Sequence, residues 1–376
     1  MKLRIFTLMT ILILILLAGC QTNWSVEISS NPSSFNFTKH DFDGLLERFP
    51  ENEYCEDLLL EQVLYEIGIV VIDSVKINAD TGKVFEYSWA NAAETLCMQK
   101  NGELSTKDGI LRPVKIFINE VEIDPQYVQI TTIPPTVLSA LGLKTDMMPR
   151  EALVDREYEH VVMIFLDGFG FAKFEYALEK GLIDFVGASD QVLQVFSVYP
   201  PRTIIATAAV ITGLFPEENG VDRGGIRKTD STTIFDVASE NGISSTAIEG
   251  ESLAFNLRNT EVVLSGDRDL SGGTDDNTFN NALKVISGPM PRLLWVHFHG
   301  IDDYGHTYGP DDPILDEKII EINGYLKQIY AALPEDTLII YFADHGMHTV
   351  HEEGRLGNHG HLIYEDMLVP VIVKTK

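Results

Sequence analysis

The sequence predicts an α/β fold: a mostly parallel, doubly wound sheet with helices on both faces over residues 159–376, preceded by a small N-terminal α/β domain over residues 40–127. Three observations lead there. From His160 onward, apolar runs at Val161–Leu166, Val192–Val198, Leu293–Phe298 and Leu338–Phe342 suit strands buried on both faces. Between them lie stretches of helical spacing, such as Ile204–Ile211, Asn281–Ile286 and Ile314–Ala332. That alternation makes a parallel sheet covered front and back. Earlier in the chain the texture differs. Leu58–Ile67 has helical spacing, while Gly68–Ile77, Lys83–Trp89 and Val114–Ile123 read as strands, with Asn78-Ala79-Asp80-Thr81-Gly82 as a turn.

The first residues stand outside the fold. Lys2 and Arg4 precede the apolar run Ile5–Leu17, which closes on Leu17-Ala18-Gly19-Cys20. A run this short with a small-residue ending reads as a secretory signal peptide over residues 1–19, the alternative being an uncleaved membrane anchor. The ending resembles the bacterial lipobox, whose cysteine is lipidated, which makes Cys20 the expected lipidation (palmitate) site and the cell membrane's extracytoplasmic face the expected location. Residues 20–39, rich in Ser and Asn, are expected to form a tether. Cys55 and Cys97 are then either a disulfide or two buried thiols.

A net charge of −28 argues against nucleic acid, which needs a basic footprint, and against anionic lipid heads. An acidic enzyme can still take an anionic substrate if bound cations reverse the local field. Eight of the ten histidines fall between His297 and His361, together with Asp302, Asp303 and Asp344. Histidine with carboxylate suits zinc or a similar divalent ion, manganese included.

Four motifs stand at predicted strand ends, where sites form in open α/β sheets. Asp167-Gly168-Phe169-Gly170 follows the first run, although Asp-Gly is also a common turn. Pro200-Pro201-Arg202-Thr203 puts a threonine where a helix begins: a plain N-cap, or a nucleophile at a site where backbone N–H groups favour a phosphoryl group. Asp302-Asp303-Tyr304-Gly305-His306 offers Asp302 and His306 to one ion from a single turn, with Asp303 as the competing choice. His297 and His299, alternating on the strand before, are expected to be wall or supporting groups. Asp344-His345-Gly346-Met347 follows the fourth run, with Asn358-His359-Gly360-His361 beyond. His348 and His351 are expected on a loop.

In order, these segments resemble the alkaline phosphatase superfamily, most of all its type I phosphodiesterase/nucleotide pyrophosphatase branch, over His160 to Val373. The stretch Thr203…Thr212-Gly213-Leu214-Phe215-Pro216-Glu217-Glu218-Asn219-Gly220 is similar to the family's nucleophile helix and following loop. The resemblance implies an alkaline phosphatase-like fold and a two-metal phosphoric ester hydrolase, a phosphodiesterase rather than a monoesterase, passing through phosphoryl-threonine. Asp302, His306 and His359 would hold one ion. Asp167, Asp344 and His345, with Thr203, would hold the other. His359 is preferred over His361 because it precedes Gly360. Two ions about 3.5–4 Å apart can clamp the attacking and leaving oxygens. The branch's asparagine three residues after the nucleophile is Ala206 here, and the Cys/Ser-Pro-Arg pattern of sulfatases is absent. A phosphatase, phosphonate hydrolase or phosphotransferase of the same superfamily is the rival activity, and a non-catalytic surface binding lipoprotein the rival class. The family's terminal helix has its likeness before the catalytic domain, at Thr132–Leu143. This leads us to expect that the connecting segment, residues 128–158, packs on that domain near Leu368–Val373.

Overall fold

The computed structural model describes residues 24–30, 33–49, 57–120, 128–144, 150–266, 274–352 and 354–376. The expectations for Cys20 and Cys55 lie outside these residues; Cys97 is buried. The chain divides into two compact units, Met1–Val121 and Glu122–Lys376.

In the first unit β1 (Ser25–Ser30), β2 (Ser33–Thr38), α1 (Lys39–Arg48), β3 (Leu58–Leu59), α2 (Leu60–Glu66), β4 (Ile72–Ala79) and β5 (Val84–Ser88) are followed by β6 (Cys97–Met98), β7 (Leu104–Thr106), β8 (Gly109–Leu111) and β9 (Pro113–Glu120). Five strands form a sheet in the order β2-β1-β9-β4-β5, and four short ones form another in the order β3-β6-β7-β8. The tether expectation is corrected here, because Ser25–Ser30 and Ser33–Thr38 pair as antiparallel strands and the first also pairs with β9. Val26, Ile28 and Phe37 alternate with polar neighbours and are 2% exposed or less. A period-two apolar pattern decides for strand even where serine and asparagine dominate the composition.

The second unit starts with β10 (Val128–Gln129), a 3-10 turn and α3 (Ile133–Ala140). Then come β11 (His160–Leu166), α4 (Phe171–Glu179), β12 (Gln191–Phe196), α5 (Thr203–Thr212), α6 (Pro216–Asn219), α7 (Ile234–Glu240), β13 (Ser245–Glu249) and β14 (Glu261–Leu264). The chain continues through α8 (Asp275–Ile286), β15 (Leu293–Phe298), α9 (Gly300–Tyr308), α10 (Pro313–Ala332), β16 (Thr337–Phe342), β17 (His348–Glu352), β18 (Arg355–Asn358), α11 (Tyr364–Met367) and β19 (Leu368–Thr375). Eight strands make one sheet in the order β10-β12-β19-β16-β11-β15-β13-β14. Only β19 runs antiparallel to its neighbours; every other pairing is parallel. Strands β11, β15 and β16 are almost wholly buried, as their apolar runs require. The carboxyl ends of β11, β13, β15 and β16 therefore open onto one edge, and Asp167, Glu249, His299 and Asp344 stand at them.

Val128 and Gln129 pair with Val195 and Phe196, and Ile133, Val137, Leu138 and Leu141 are buried in this unit's core. The helix α3 packs on α5 and α7. The tract thus lies one strand away from β19, with β12 between, rather than on it. Its apolar face is satisfied by the helix that carries Thr203.

Candidate active site

Helix α5 is apolar all round because it is sunk in the core, with Ile205 to Thr212 all buried. Its N-cap is Arg202, so Thr203 is the first helical residue and its hydroxyl is not spent on capping. That hydroxyl lies 3.2 Å from His345 Nε2 and 3.4 Å from Asp167 Oδ1.

Asp167 leaves β11 with its N–H bonded to Phe298 O (3.0 Å). Gly168 follows at φ +71°, with Asp302 only 3.0 Å from where a Cβ would stand, so glycine alone fits between the two aspartates. Its N–H donates to Asp344 Oδ1 (3.2 Å). Asp302 and His306 face one way from α9, with Asp302 Oδ2 3.3 Å from His306 Nε2. His359 Nε2 lies 3.7 Å from Asp302 Oδ1, and its ring stacks on His345 at 3.6 Å.

Ligand atoms of Asp302, His306 and His359 come within 4.8 Å of one another, as do those of Asp167, Asp302 and His345. Asp302 therefore belongs to both groups. Asp344 joins the second through its Oδ2, 3.2 Å from His345 Nε2. Asp303, the alternative to Asp302, is in neither of these groups. His361 turns away: its N–H bonds Asp366 and its ring lies 5.5 Å from His348. His348 and His351 sit on β17, not on a loop. His348 is held by the Asp366 carboxylate at 2.8 Å, a partner 18 residues on that no local pattern announces.

The three imidazoles are oriented alike. Nδ1 of His306, His345 and His359 bonds the carbonyls of Gly357 (2.8 Å), Gly346 (2.9 Å) and Pro201 (3.0 Å). A carbonyl can only accept, so Nδ1 carries the proton and Nε2 faces the site, the arrangement that metal-binding histidines require. Asp302 Oδ1 and Asp344 Oδ2 are buried without a hydrogen-bond partner among the described residues. Buried carboxylate oxygens left bare are costly unless a cation meets them. The donor set, all N and O, fits zinc or manganese.

The electrostatics point the same way. Burial and the Asp167 charge push Asp344 up to about 8. Burial opposes charge on His345, yet Asp344, Asp302 and Asp167 outweigh it and lift the ring to about 9. His359 is held well below its ordinary value by burial and by the neighbouring His345 and His306. Asp167 is held well below the usual carboxylate range: burial works against this, but bonds to His297 and His299 prevail.

Two supporting groups have no motif. Glu249 accepts from His297 Nδ1 (2.9 Å) and Trp295 Nε1 (2.7 Å), while His297 Nε2 reaches Asp167 Oδ2 (3.2 Å). The chain Glu249–His297–Asp167 is buried throughout and fixes the carboxylate next to Thr203. Asp275 accepts the N–H groups of His299 (3.0 Å) and Gly300 (3.1 Å), anchoring the start of the helix that presents Asp302 and His306. Glu249 closes an apolar strand, the one hint the sequence holds; Asp275 offers none. The cleft over Thr203, about 340 Å³, is lined by Asp167, Arg202, Ile204, Arg227, His299 and His359 among others.

Residues 161–262 and 238–368 match the family described as type I phosphodiesterase / nucleotide pyrophosphatase. GPI ethanolamine phosphate transferase 3 of Eremothecium gossypii is 45% identical over 81 residues, 20% of this chain and 7% of that protein. GPI ethanolamine phosphate transferase 2 of Schizosaccharomyces pombe is 39% identical over 89 residues, 22% of this chain and 11% of that protein. The matches thus span 7% and 11% of the lengths of these curated relatives. Among solved structures, murine ectonucleotide pyrophosphatase / phosphodiesterase 5 in complex with AMP aligns with a TM-score of 0.46 and 15% identity, covering 57% of this chain and 87% of that one. Phosphonoacetate hydrolase from Sinorhizobium meliloti in complex with phosphonoformate aligns with a TM-score of 0.41 and 18% identity, over 53% and 60%.

Proposed function

The chain belongs to the type I phosphodiesterase / nucleotide pyrophosphatase family, and from that premise we propose that it is a metal-dependent phosphoric ester hydrolase with Thr203 as nucleophile. The observation that carries the reading is the placement of the Thr203 hydroxyl, at a helix start and within 3.4 Å of both Asp167 and His345. Asp302, His306 and His359 would hold one divalent ion, and Asp167, Asp344, His345 and Thr203 a second. Bound there, zinc or manganese supplies Lewis acidity that lowers the pKa of a hydroxyl and offsets phosphoryl charge. The protein's own contribution is position. The first turn of α5 points free N–H groups at the phosphoryl oxygens. Thr203 Oγ1 attacks phosphorus as the ester P–O bond breaks, so that the alcohol departs with the threonine's proton and phosphoryl-threonine remains; water then cleaves that bond, releasing the phosphate product and returning the hydroxyl. The buried Glu249–His297 pair keeps Asp167 from swinging out of line.

A screen of aryl phosphate mono- and diesters with the metal-replete protein tests this. Thr203→Ala should retain fold and metal content while turnover falls by roughly 10³-fold or more, as when a nucleophile that acts with its site as a unit is removed. Near-wild-type turnover in that variant would sink the assignment. The local identity to ethanolamine phosphate transferases favours one second reading, transfer of the phosphoryl group from Thr203 to an alcohol instead of water. Adding a primary alcohol to the assay separates the two, since a transferase yields the alcohol's phosphate ester.

We also propose a lipid anchor at Cys20. Among the described residues no helix is long and apolar enough to cross a membrane. Cys20→Ser should release the protein into the soluble fraction or block its processing. A correctly cleaved variant that still sediments with membranes would contradict the anchor.

A further inference from the structure

Arg227 has no place in the chemistry described so far, yet it lines the cleft over Thr203 together with Arg202. The protein carries 56 acidic residues against 28 lysines and arginines, so two guanidinium groups in one small cleft run against its charge. Other arginines are engaged: Arg48 with Glu66, Arg112 with Glu103, Arg258 with Asp236. Arg227, exposed at the cleft wall, has no ion pair or side-chain hydrogen bond among the described residues. Its backbone is nonetheless fixed. The Arg227 carbonyl accepts the Asn256 N–H (2.8 Å), and Thr229 two residues on donates its hydroxyl to Asn219 O (2.6 Å). The loop is therefore pinned while the guanidinium stays available.

Arg202 lines the same cleft. Its Nε would lie 3.0 Å from a Cβ at Gly360, whose φ of +119° also demands glycine, so the His-Gly pair leaves room for the guanidinium beside His359. The helix α5 itself offers the phosphoryl group no side-chain amide, and the position three residues after Thr203 is Ala206, wholly buried. Oxygens that face neither the carboxylate–histidine groups nor the helix N–H groups are left to Arg227.

We propose, resting on the phosphoryl-transfer reading above, that Arg227 is a specificity-determining residue that selects a phosphoryl group carrying two negative charges, that is, a terminal phosphate monoester over a diester. A monoester is largely dianionic above its second pKa of about 6, whereas a diester carries one charge and hides one of the oxygens a guanidinium would bind. A planar fork of donors matches two such oxygens at once, and one point charge does not.

The experiment compares kcat/KM for an aryl phosphate monoester and the bis-aryl diester of the same phenol at pH 8, in the metal-replete full chain. Wild type, Arg227→Ala and Arg227→Lys are measured, with inorganic phosphate binding by calorimetry alongside. The expected result is a loss on the monoester in Arg227→Ala that exceeds the loss on the diester by about 10-fold or more, with partial recovery in Arg227→Lys. Equal losses on both esters, or none on the monoester, overturn the proposal. Should wild type cleave neither ester, the hydrolase reading fails by itself. Phosphate binding then decides: affinity about 10-fold weaker in Arg227→Ala supports the selection of a dianion, and unchanged affinity refutes it.

Discussion

The two halves of the candidate site are built on different materials. Asp167, Asp344 and His345 stand directly at the ends of central strands, and their side chains are 0–4% exposed. Asp302 and His306 ride on one turn of α9, and His359 follows the β17–β18 hairpin; these side chains are 11–25% exposed. A strand end in a closed-packed sheet cannot shift without moving its neighbours, whereas a helix turn and a hairpin can. The lesson is that one half is set by the core and the other by surface elements leaning on it through Asp275 and Gly357. The half set by the core should hold its ion as part of the fold, and the outer half should exchange its ion.

The largest effect that sharpens this contrast comes from the inner half. Asp344→Asn removes a buried charge without changing shape, and should lower kcat/KM by roughly 10³-fold, with no recovery at millimolar metal. His306→Ala, in the outer half, should cost roughly 10²-fold, lose one ion on dialysis, and regain activity when metal is added. Elemental analysis beside the kinetics reads both. Rescue of Asp344→Asn by metal, with none for His306→Ala, would invert the contrast.

A smaller effect concerns pH and the metal-free protein. In the fold Asp344 titrates near 8 against an ordinary 3.8, and His345 near 9 and His297 near 10 against 6.5. All three are raised, so their protons are held by the folded state and given up by the unfolded chain. Stability from them is full below the unfolded values and drains as pH rises through the folded ones. Asp167 and His359, lowered in the fold, finish titrating in both states at or below about 6.5, and add no slope higher up. Chelated protein should therefore lose thermal stability steadily from pH 7 to about 10, more steeply than metal-replete protein. A flat Tm over that range, or equal slopes, would show that the inner half does not depend on a cation for its charge balance.

The inner half was also the more legible one. Unbroken runs such as Val161–Leu166 can only be buried strands, and a carboxylate directly after one has nowhere to point but the sheet edge. The spacing of Asp302 and His306 likewise needs only helix geometry. What stayed hidden was long-range. Glu249 reaches His297 across 48 residues and Asp275 reaches Gly300 across 25, pairings that no window of sequence contains. Arg227 sits in a glycine-bearing loop whose path is fixed in part from afar, by Asn219 and Asn256. The strands Ser25–Ser30 and Ser33–Thr38 are hidden by their serines and asparagines, which give them the composition of a tether although Val26, Ile28, Phe35 and Phe37 alternate with polar residues.

The reversed strand β19 has a practical bearing. It enters the sheet at Leu368, opposite Phe196, and leaves at Thr375, opposite Leu338. Its direction carries the backbone from the catalytic edge to the far edge, where the parallel strands begin. Whatever is joined after Thr375, be it an affinity tag, a fluorophore or a surface linker, therefore departs on the side away from Thr203. Immobilised by that route, the protein should keep its catalytic edge turned toward the bulk solution.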